Sequence, residues 1–280
     1  MARSPRVKII AELGSCHDRN FATAERMVME AAEGGADYVK LQYWSSAQRL
    51  AERRQSGAGY QAIYEEYQIE ERWLEQLARV AEIADIGFMC TAYLPEDIAV
   101  VEPYVDHFKV ASFEAGDMDF IRAHYPYCEK NPDRWLIVST GLQSDEQLRP
   151  LLMERVRPTR TRRINLKLLH CVSAYPCPPA ALALRQIRTM HFDGFSDHAA
   201  AGWAASGAVA VALGAKILEV HVRPATMDEQ NPDAPHALLP GQFRRYVEHV
   251  RMAEDAIGEE TWRSPTNPAE DAMRPYKVKP

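Results

Sequence analysis

Two histidines, His198 and His221, stand at the ends of consecutive apolar runs in the last third of the chain. Imidazole is a good ligand for divalent cations, and a pair of imidazoles leaves coordination positions open for substrate and water. A lone histidine at such a place is more often simply hydrogen-bonded, so it is the adjacency of two that points to a metal. Asp197 and Glu219, one beside each run end, would orient these rings, join them as ligands, or close a salt bridge. Lys40 and Lys109 end two other apolar runs, where an unpaired ammonium is costly to bury. Either each pairs with a carboxylate such as Glu12 or Glu114, or both face an anion. Thr91, Ser112, Ser139, Ser173 and Ser196 occupy the same kind of position, and phosphate or carboxylate oxygens want charged donors together with hydroxyl and backbone donors. Hydroxyl residues alone carry little weight, because Ser and Thr are common in turns. His17 suits a catalytic or ligand-binding role and, equally, a cap in the turn after the first run.

Residues of these types act together only if the fold brings them to one place. Eight short runs rich in β-branched or other apolar residues recur, mostly about 20 to 30 residues apart with one gap of about 45 to 50: 7–13, 38–42, 87–91, 107–112, 136–140, 166–172, 194–197 and 217–222. Unbroken apolar runs, as opposed to strict alternation, are the pattern of parallel strands covered on both faces. Apolar residues at three- and four-residue spacing predict helices between them at 22–33, 71–84, 179–190 and 199–213. Gly34-Gly35 suits a helix C-terminus, and Ser144-Asp145 the start of another. Strand–helix units repeated eight times in roughly 250 residues predict a closed (β/α)8 TIM barrel. It would span residues 1–257, with 258–280 as a tail or linker. An open doubly wound sheet is the alternative, but that fold usually carries a glycine-rich phosphate turn, and Glu12-Leu13-Gly14-Ser15-Cys16-His17 is not GxGxxG. In a barrel the active site lies at the C-terminal ends of the strands. Nearly every run here delivers an ionisable or hydroxyl group to that end, among them Glu12, Gln42, Glu114 and Tyr175 besides the residues already named. The long segment 43–67 fits an active-site loop with its own short helix.

Composition sets outer bounds. With 280 residues, 46% hydrophobic and 26% charged, the chain matches an ordinary globular domain. Its net charge of -6 argues against a nucleic-acid partner, because phosphate neutralisation needs a basic surface. No secretory signal pattern is present at the start. The stretch 199–218 is interrupted by Trp203 and Ser206 and reads as a core helix leading into a strand, not as a membrane span. Five cysteines (Cys16, Cys90, Cys128, Cys171, Cys177) without a CxxC pair make a disulfide scaffold improbable and a reducing cytoplasm the simplest location. Cys16, Cys90 and Cys171 fall near strand ends, where a mixed thiolate–imidazole site competes with the better reading of small buried apolar residues.

Taken in order, the motifs resemble those of the sialic acid synthases, which make N-acetylneuraminate and related nonulosonates from phosphoenolpyruvate. The resemblance runs from Lys8 to about Phe243. It is carried by Ile10-Ala11-Glu12-Leu13-Gly14 with His17, Gly35-Ala36-Asp37-Tyr38-Val39-Lys40-Leu41-Gln42, Lys109-Val110-Ala111-Ser112-Phe113-Glu114 and Val138-Ser139-Thr140-Gly141. The strongest pieces are Leu169-His170-Cys171-Val172-Ser173-Ala174-Tyr175-Pro176, Gly194-Phe195-Ser196-Asp197-His198 and Gly214-Ala215-Lys216-Ile217-Leu218-Glu219-Val220-His221. The resemblance implies that His198 and His221 hold a divalent cation, manganese in the first place, with magnesium or cobalt as alternatives. It implies that Lys40, Lys109, Thr91, Ser112, Ser139, Ser173 and Ser196 surround phosphoenolpyruvate. Glu12, Gln42, Glu114, Tyr175 and Asp233 would then handle an acceptor sugar and the proton transfers, with Glu12 or Glu114 as general acid or base and His17 as a further catalytic candidate. A homodimer is also implied.

The chain departs from the family pattern at several points. Cys16 replaces an Asn before His17, Arg19 takes a Gly place, and Ala237 stands where Ser is usual. The chain ends at Pro280, so the family's C-terminal antifreeze-like domain, whose arginine contacts the acceptor in a partner's site, is expected to be missing. The Arg53-Arg54 segment and the tail are candidates to replace that contact, and an aldose other than N-acetylmannosamine becomes a live acceptor. Three other readings compete. A synthase like those for 3-deoxy-octulosonate or 3-deoxy-heptulosonate phosphates would need a second basic cluster for an acceptor phosphate. A Schiff-base aldolase would use Lys40 or Lys109 without metal. A non-catalytic ligand-binding barrel would have no chemical reason to keep Glu12, Lys40, Lys109, His198 and His221.

Overall fold

The computed structural model describes residues 6–156, 164–199, 203–227, 230–258 and 268–276. Its centre is a closed barrel of eight parallel strands in sequence order: β1 Lys8–Glu12, β2 Tyr38–Tyr43, β3 Gly87–Ala92, β4 His107–Val110, β5 Trp135–Ser139, β6 Asn165–Cys171, β7 Gly194–Asp197 and β8 Ile217–His221. The closed ring excludes the doubly wound alternative. Predicted and observed strand bounds differ by no more than two residues. The largest difference is in β4, which stops at Val110 because the chain turns into a 3-10 helix at Ser112–Glu114.

Each strand alternates between two buried surfaces. Ile9, Ala11, Val39, Leu41, Phe88, Phe108, Leu136, Val138, Leu168, Phe195, Leu218 and Val220 belong to the large apolar cluster shared with the surrounding helices. The opposite face points into the barrel, where Ile10, Met89, Ile137, Leu169 and Ile217 form a separate apolar layer with Tyr38 and Trp135 packed against it. Gly194 completes this layer by absence. A Cβ there would run into the Ile217 carbonyl, so only glycine lets β7 and β8 approach. Two residues further along each strand, the inward positions become Glu12, Lys40, Thr91, Lys109, Ser139, Cys171, Ser196 and Glu219. The barrel therefore has an apolar plug below and a polar floor above.

Helices α1 Phe21–Glu33, α2 Ala47–Arg53, α3 Ala58–Tyr67 and α4 Arg72–Ile83 follow the first two strands. The segment after β2 thus holds two helices where the sequence reading expects one. They fold around a small core of their own, with Trp44, Ala47, Leu50, Tyr67, Tyr93 and Leu94 buried together. Beyond them lie α5 Asp97–Val101, α6 Met118–Ala123, α7 Tyr125–Glu129, α8 Asp145–Val156, α9 Arg185–Thr189, α10 Ser206–Ala212 and α11 Pro240–Ile257. The helix expected at 179–190 is realised only as a 3-10 turn at Pro179–Ala181 and the short α9. Of the one expected at 199–213, α10 covers the second half, and residues 200–202 lie outside the described residues. The tail begins at Gly258; 259–267 and 277–280 also lie outside the described residues, and Pro268–Tyr276 forms a 3-10 helix. No helix among the described residues is long and apolar enough to cross a membrane.

Two buried histidines support the scaffold away from the polar floor. His107 Nδ1 accepts the Trp135 N–H at 3.2 Å, its Nε2 faces the Tyr38 hydroxyl at 3.1 Å, and its ring stacks on Trp135. His124 is fully buried, and its Nδ1 donates to the Phe120 carbonyl at 3.0 Å. Burial lowers each to about 4, so both are neutral in the folded protein. In the unfolded chain they would titrate near about 6.5. The unfolded state then binds more protons below that pH, so their contribution to stability is complete above about pH 6.5 and is lost as pH falls toward 4. Urea unfolding should show stability declining between pH 6.5 and 5, and His124→Leu should reduce that slope by about 1.4 kcal/mol per pH unit. An unchanged slope would mean that His124 is not a neutral buried imidazole.

Candidate active site

Four fully buried charges form the floor. Lys40 Nζ lies 2.7 Å from Glu12 Oε2 and 3.4 Å from Glu219 Oε2, and donates to Thr91 Oγ1 at 3.1 Å. Lys109 Nζ lies 3.5 Å from Glu219 Oε1 and donates to the Val110 carbonyl at 3.2 Å. Both lysines thus have carboxylate neighbours, but the partner of Lys109 is Glu219 and not Glu114. Parallel register explains this: Lys40 sits opposite Glu12 across β1–β2, and Glu219 is on β8, the other neighbour of β1. Burial works to lower the Lys40 ammonium, yet the two carboxylates hold it above the ordinary lysine range. Burial prevails at Lys109, which is held below that range. Burial also opposes the charge on Glu219, but Lys109 and Lys40 keep its carboxyl well below the usual carboxylate range.

The hydroxyl residues gather around this floor. Ser196 donates to Glu219 Oε1 at 2.8 Å, and Ser173 donates to Ser112 Oγ at 2.8 Å. The Ser139 hydroxyl is buried without a hydrogen-bond partner. Gln42 Nε2 donates to Glu12 Oε1 at 2.7 Å, and the Gly14 N–H reaches the same oxygen at 3.1 Å. Cys171 faces inward, 3.7 Å from Ser173 Oγ and 3.9 Å from His198 Nδ1. All five cysteines are buried and unpaired, and burial pushes the Cys171 thiol up, away from thiolate chemistry.

The histidines occupy the rim above β7 and β8. The His198 and His221 rings are 5.8 Å apart, and Tyr175 packs against His198 at 4.2 Å between centroids. His198 Nδ1 donates to the Val172 carbonyl at 2.9 Å, which makes Nε2 the acceptor nitrogen of the ring, 3.4 Å from the Ser196 hydroxyl. Burial, reinforced by His221, lowers His198 to about 3. A tighter group includes His221 and lies beside His198, whose ring centroid is 6.2 Å from that of His236. One ligand atom each from His221, Asp233 and His236 lies within 4.8 Å of the others. His221 Nδ1 and both ring nitrogens of His236 are buried without hydrogen-bond partners. Gly14, at φ +50°, lies directly beneath: a Cβ there would strike Asp233 and come within 3.1 Å of His221 Nδ1. Orphaned imidazole nitrogens beside a carboxylate, over a glycine that leaves the space open, fit a divalent cation. His198 stands next to this group with its Nε2 available.

His236 and the position of Asp233 escape the sequence reading, because the loop after β8 has no periodicity. The loop is folded back by main-chain bonds: Leu238 N–H to the His221 carbonyl at 2.8 Å and Arg223 N–H to the Leu238 carbonyl at 2.9 Å. That return lays His236 against His221, with ring centroids 4.5 Å apart. Asp233, expected at the acceptor, is held by the Ser15 N–H at 2.7 Å and the Ser15 hydroxyl at 2.8 Å. The only available signal was the Asp-x-x-His spacing. His17 takes the capping arrangement, its Nδ1 accepting the Arg19 N–H at 3.1 Å and its ring edge-on to Trp73. Asp18 and Arg19 are both left-handed, at φ 51° and 58°, which explains why a glycine would suit position 19.

Glu114 stands apart from the lysines. Its Oε1 accepts from Arg54 Nε at 2.8 Å and lies 2.7 Å from Arg54 Nη2, while Oε2 is buried without a partner. Burial raises the Glu114 carboxyl in spite of Arg54. Titrating the protein with Mn2+ in a calorimeter tests the cation site. His221→Ala and His236→Ala should each weaken binding by about 100-fold or more, beyond what outer contacts usually cost. Unchanged affinity in His236→Ala would return the ligand set to His198 and His221.

Against known proteins, the model of the NeuB family matches residues 27–261. The chain is 32% identical to human N-acetylneuraminate-9-phosphate synthase, over 90% of this chain and 72% of that protein. It is 30% identical to pseudaminic acid synthase of Campylobacter jejuni, over 91% of this chain and 76% of that one. A sialic acid synthetase structure from Leptospira borgpetersenii superposes with a TM-score of 0.83 at 22% identity, covering 97% of this chain and 91% of that one, which speaks for the fold alone.

Proposed function

The chain belongs to the NeuB family, and from that premise we propose that it condenses phosphoenolpyruvate with an aldose to give a 3-deoxy-2-keto sugar acid and phosphate. One observation carries the reading: two wholly buried ammonium groups lie under the barrel mouth, and the Lys109 half of the floor is short of partners. Lys109 has one carboxylate at 3.5 Å, and beside it on β5 the Ser139 hydroxyl has no partner. An anionic ligand with several oxygens would supply what both groups lack.

Phosphoenolpyruvate would lie over β4 to β7, with Lys109, Ser112, Ser139, Ser173 and Ser196 on its phosphate and carboxylate, and Lys40 and Thr91 closing the other side. Gln42, Tyr175 and Glu114 would face the aldose. The methylene carbon of phosphoenolpyruvate bonds to the aldehyde carbon, and the aldehyde oxygen takes a proton. Water adds at the phosphate-bearing carbon and gives up one proton; the C–O bond to phosphate then breaks, and the departing phosphate takes the remaining hydroxyl proton to leave the ketone. The first two proton movements need a general acid–base group. Glu12 is engaged on both oxygens by Gln42, Gly14 and Lys40. Glu114 keeps Oε2 free, and burial raises its carboxyl above the usual carboxylate range, so it holds a proton more readily than an exposed carboxylate does. His221, Asp233 and His236, with His198 beside them, would hold a divalent cation, manganese before magnesium or cobalt, whose Lewis acidity would polarise the aldehyde.

The same proposal includes a cytoplasmic location, supported by the five unpaired cysteines, and a homodimer, supported by the family resemblance. Residues 1–257 would be the catalytic barrel and 258–280 a tail or linker. Manganese-supplemented protein should release phosphate from phosphoenolpyruvate in the presence of one member of an aldose panel that includes N-acetylmannosamine. Lys109→Met should lower phosphoenolpyruvate affinity by about 100-fold, since it removes a buried charge from a charged ligand. Absence of phosphoenolpyruvate binding by the wild-type protein would sink the reading.

A further inference from the structure

Arg54 follows the last residue of α2, and every group around it fixes its guanidinium. Arg53, one residue earlier, bonds Asp117 at 2.8 Å and lies over the Phe120 ring, which ties the end of α2 to the start of α6. Asp117 itself accepts the Phe120 N–H at 2.9 Å as the cap of α6. With α2 braced in this way, Arg54 turns toward the barrel mouth. Its guanidinium carbon lies 4.6 Å from the centroid of Tyr93, 5.0 Å from Phe113 and 5.6 Å from Tyr64. Nη1 donates to the Tyr64 hydroxyl at 3.2 Å. Tyr64 is held in turn by Trp44, whose indole N–H donates to the Tyr64 carbonyl at 3.0 Å. The two-helix insertion therefore acts as a frame for one cation.

That cation does something specific to Glu114. Nε and Nη2 both converge on Oε1, so one carboxylate oxygen is saturated and the other, Oε2, is left buried and unpartnered. A lone buried acceptor beside a fixed donor pair is prepared for a hydroxyl or a proton arriving from the mouth. We infer that Arg54 is a positioning residue for the acceptor sugar: it locks the Glu114 carboxylate through Oε1 so that Oε2 meets the aldose. This rests on the synthase reading above and adds to it a determinant supplied by the chain's own insertion after β2. Arg53 has a different part, since it braces the helix and does not touch Glu114 in this arrangement.

The test uses the full chain with manganese, phosphoenolpyruvate and the aldose that supports wild-type turnover. Arg54→Ala should lower kcat/KM for the aldose by about 100-fold, as expected for a misplaced reacting group, while KM for phosphoenolpyruvate stays within about twofold. Added guanidine should recover part of the loss. Arg54→Lys keeps the buried charge paired, and so guards against a variant that fails to fold. Its single ammonium cannot reproduce the planar fork on Oε1, so it should stay well below wild type with an unchanged melting temperature. Wild-type aldose kinetics in Arg54→Lys, or equal losses for both substrates, would overturn the assignment and leave the synthase reading intact. A wild-type protein that releases no phosphate with any aldose would defeat that reading and this assignment with it.

Discussion

Four charges out of water set the terms for the rest of the molecule. Glu12, Lys40, Lys109 and Glu219 are each at most 4% exposed, and they face one another across the floor of the barrel. None could be kept there alone, because desolvating one ion costs several kcal/mol and removing a partner from such a pair typically costs about 3–5 kcal/mol. Two cations and two carboxylates balance in number but not in geometry. Lys40 is bracketed by two carboxylates, whereas Lys109 shares one of them at longer range. The barrel below must be dry and tightly packed for this arrangement to hold, and the layer of Ile10, Met89, Ile137, Leu169 and Ile217 provides that seal.

That division between seal and floor is written in a period of two. Ile10 precedes Glu12, Met89 precedes Thr91, Ile137 precedes Ser139 and Ile217 precedes Glu219, each pair on the same face of its strand. This is why the fold and much of the floor were legible in the sequence. Apolar runs marked the strands, and a polar residue at the end of each run marked the face and level at which it would emerge. Local pattern was enough for Lys40, Lys109, Ser139, Ser196, His198 and His221. It could not say which carboxylate meets which lysine, because that depends on barrel closure. Glu219 reaches both lysines only once β8 has come round to pair with β1.

Where the sequence was least informative, the chain is irregular. His236 reaches His221 through a loop turned back by main-chain bonds, and nothing in the composition of that loop encodes the return. Arg54 was visible as one of two adjacent arginines in a long segment. Its partner on another strand end, and the aromatic rings that enclose it, follow from the packing of α2 and α3 around Trp44. His17 shows the converse case. A histidine after a strand suggests chemistry by type, but the left-handed turn at Asp18 and Arg19 commits its Nδ1 to the backbone.

The uneven partnering of the floor also gives the mouth a direction. Across β4 to β6, Lys109 and Ser139 are under-satisfied, a deficit that an anion relieves. Across β8 and the loop behind it, the orphaned nitrogens of His221 and His236 flank Asp233, a deficit that a cation relieves. Glu114, held by Arg54, offers its free oxygen from a third quarter of the rim. A substrate that is anionic at one end and reactive at the other would satisfy the first deficit and present its reactive carbon toward the second. A neutral partner with a carbonyl and several hydroxyls would bridge the second and the third. Two ligands oriented in this way meet above the barrel axis, which is the geometric requirement for joining them. It arises from where the buried polar groups lack partners.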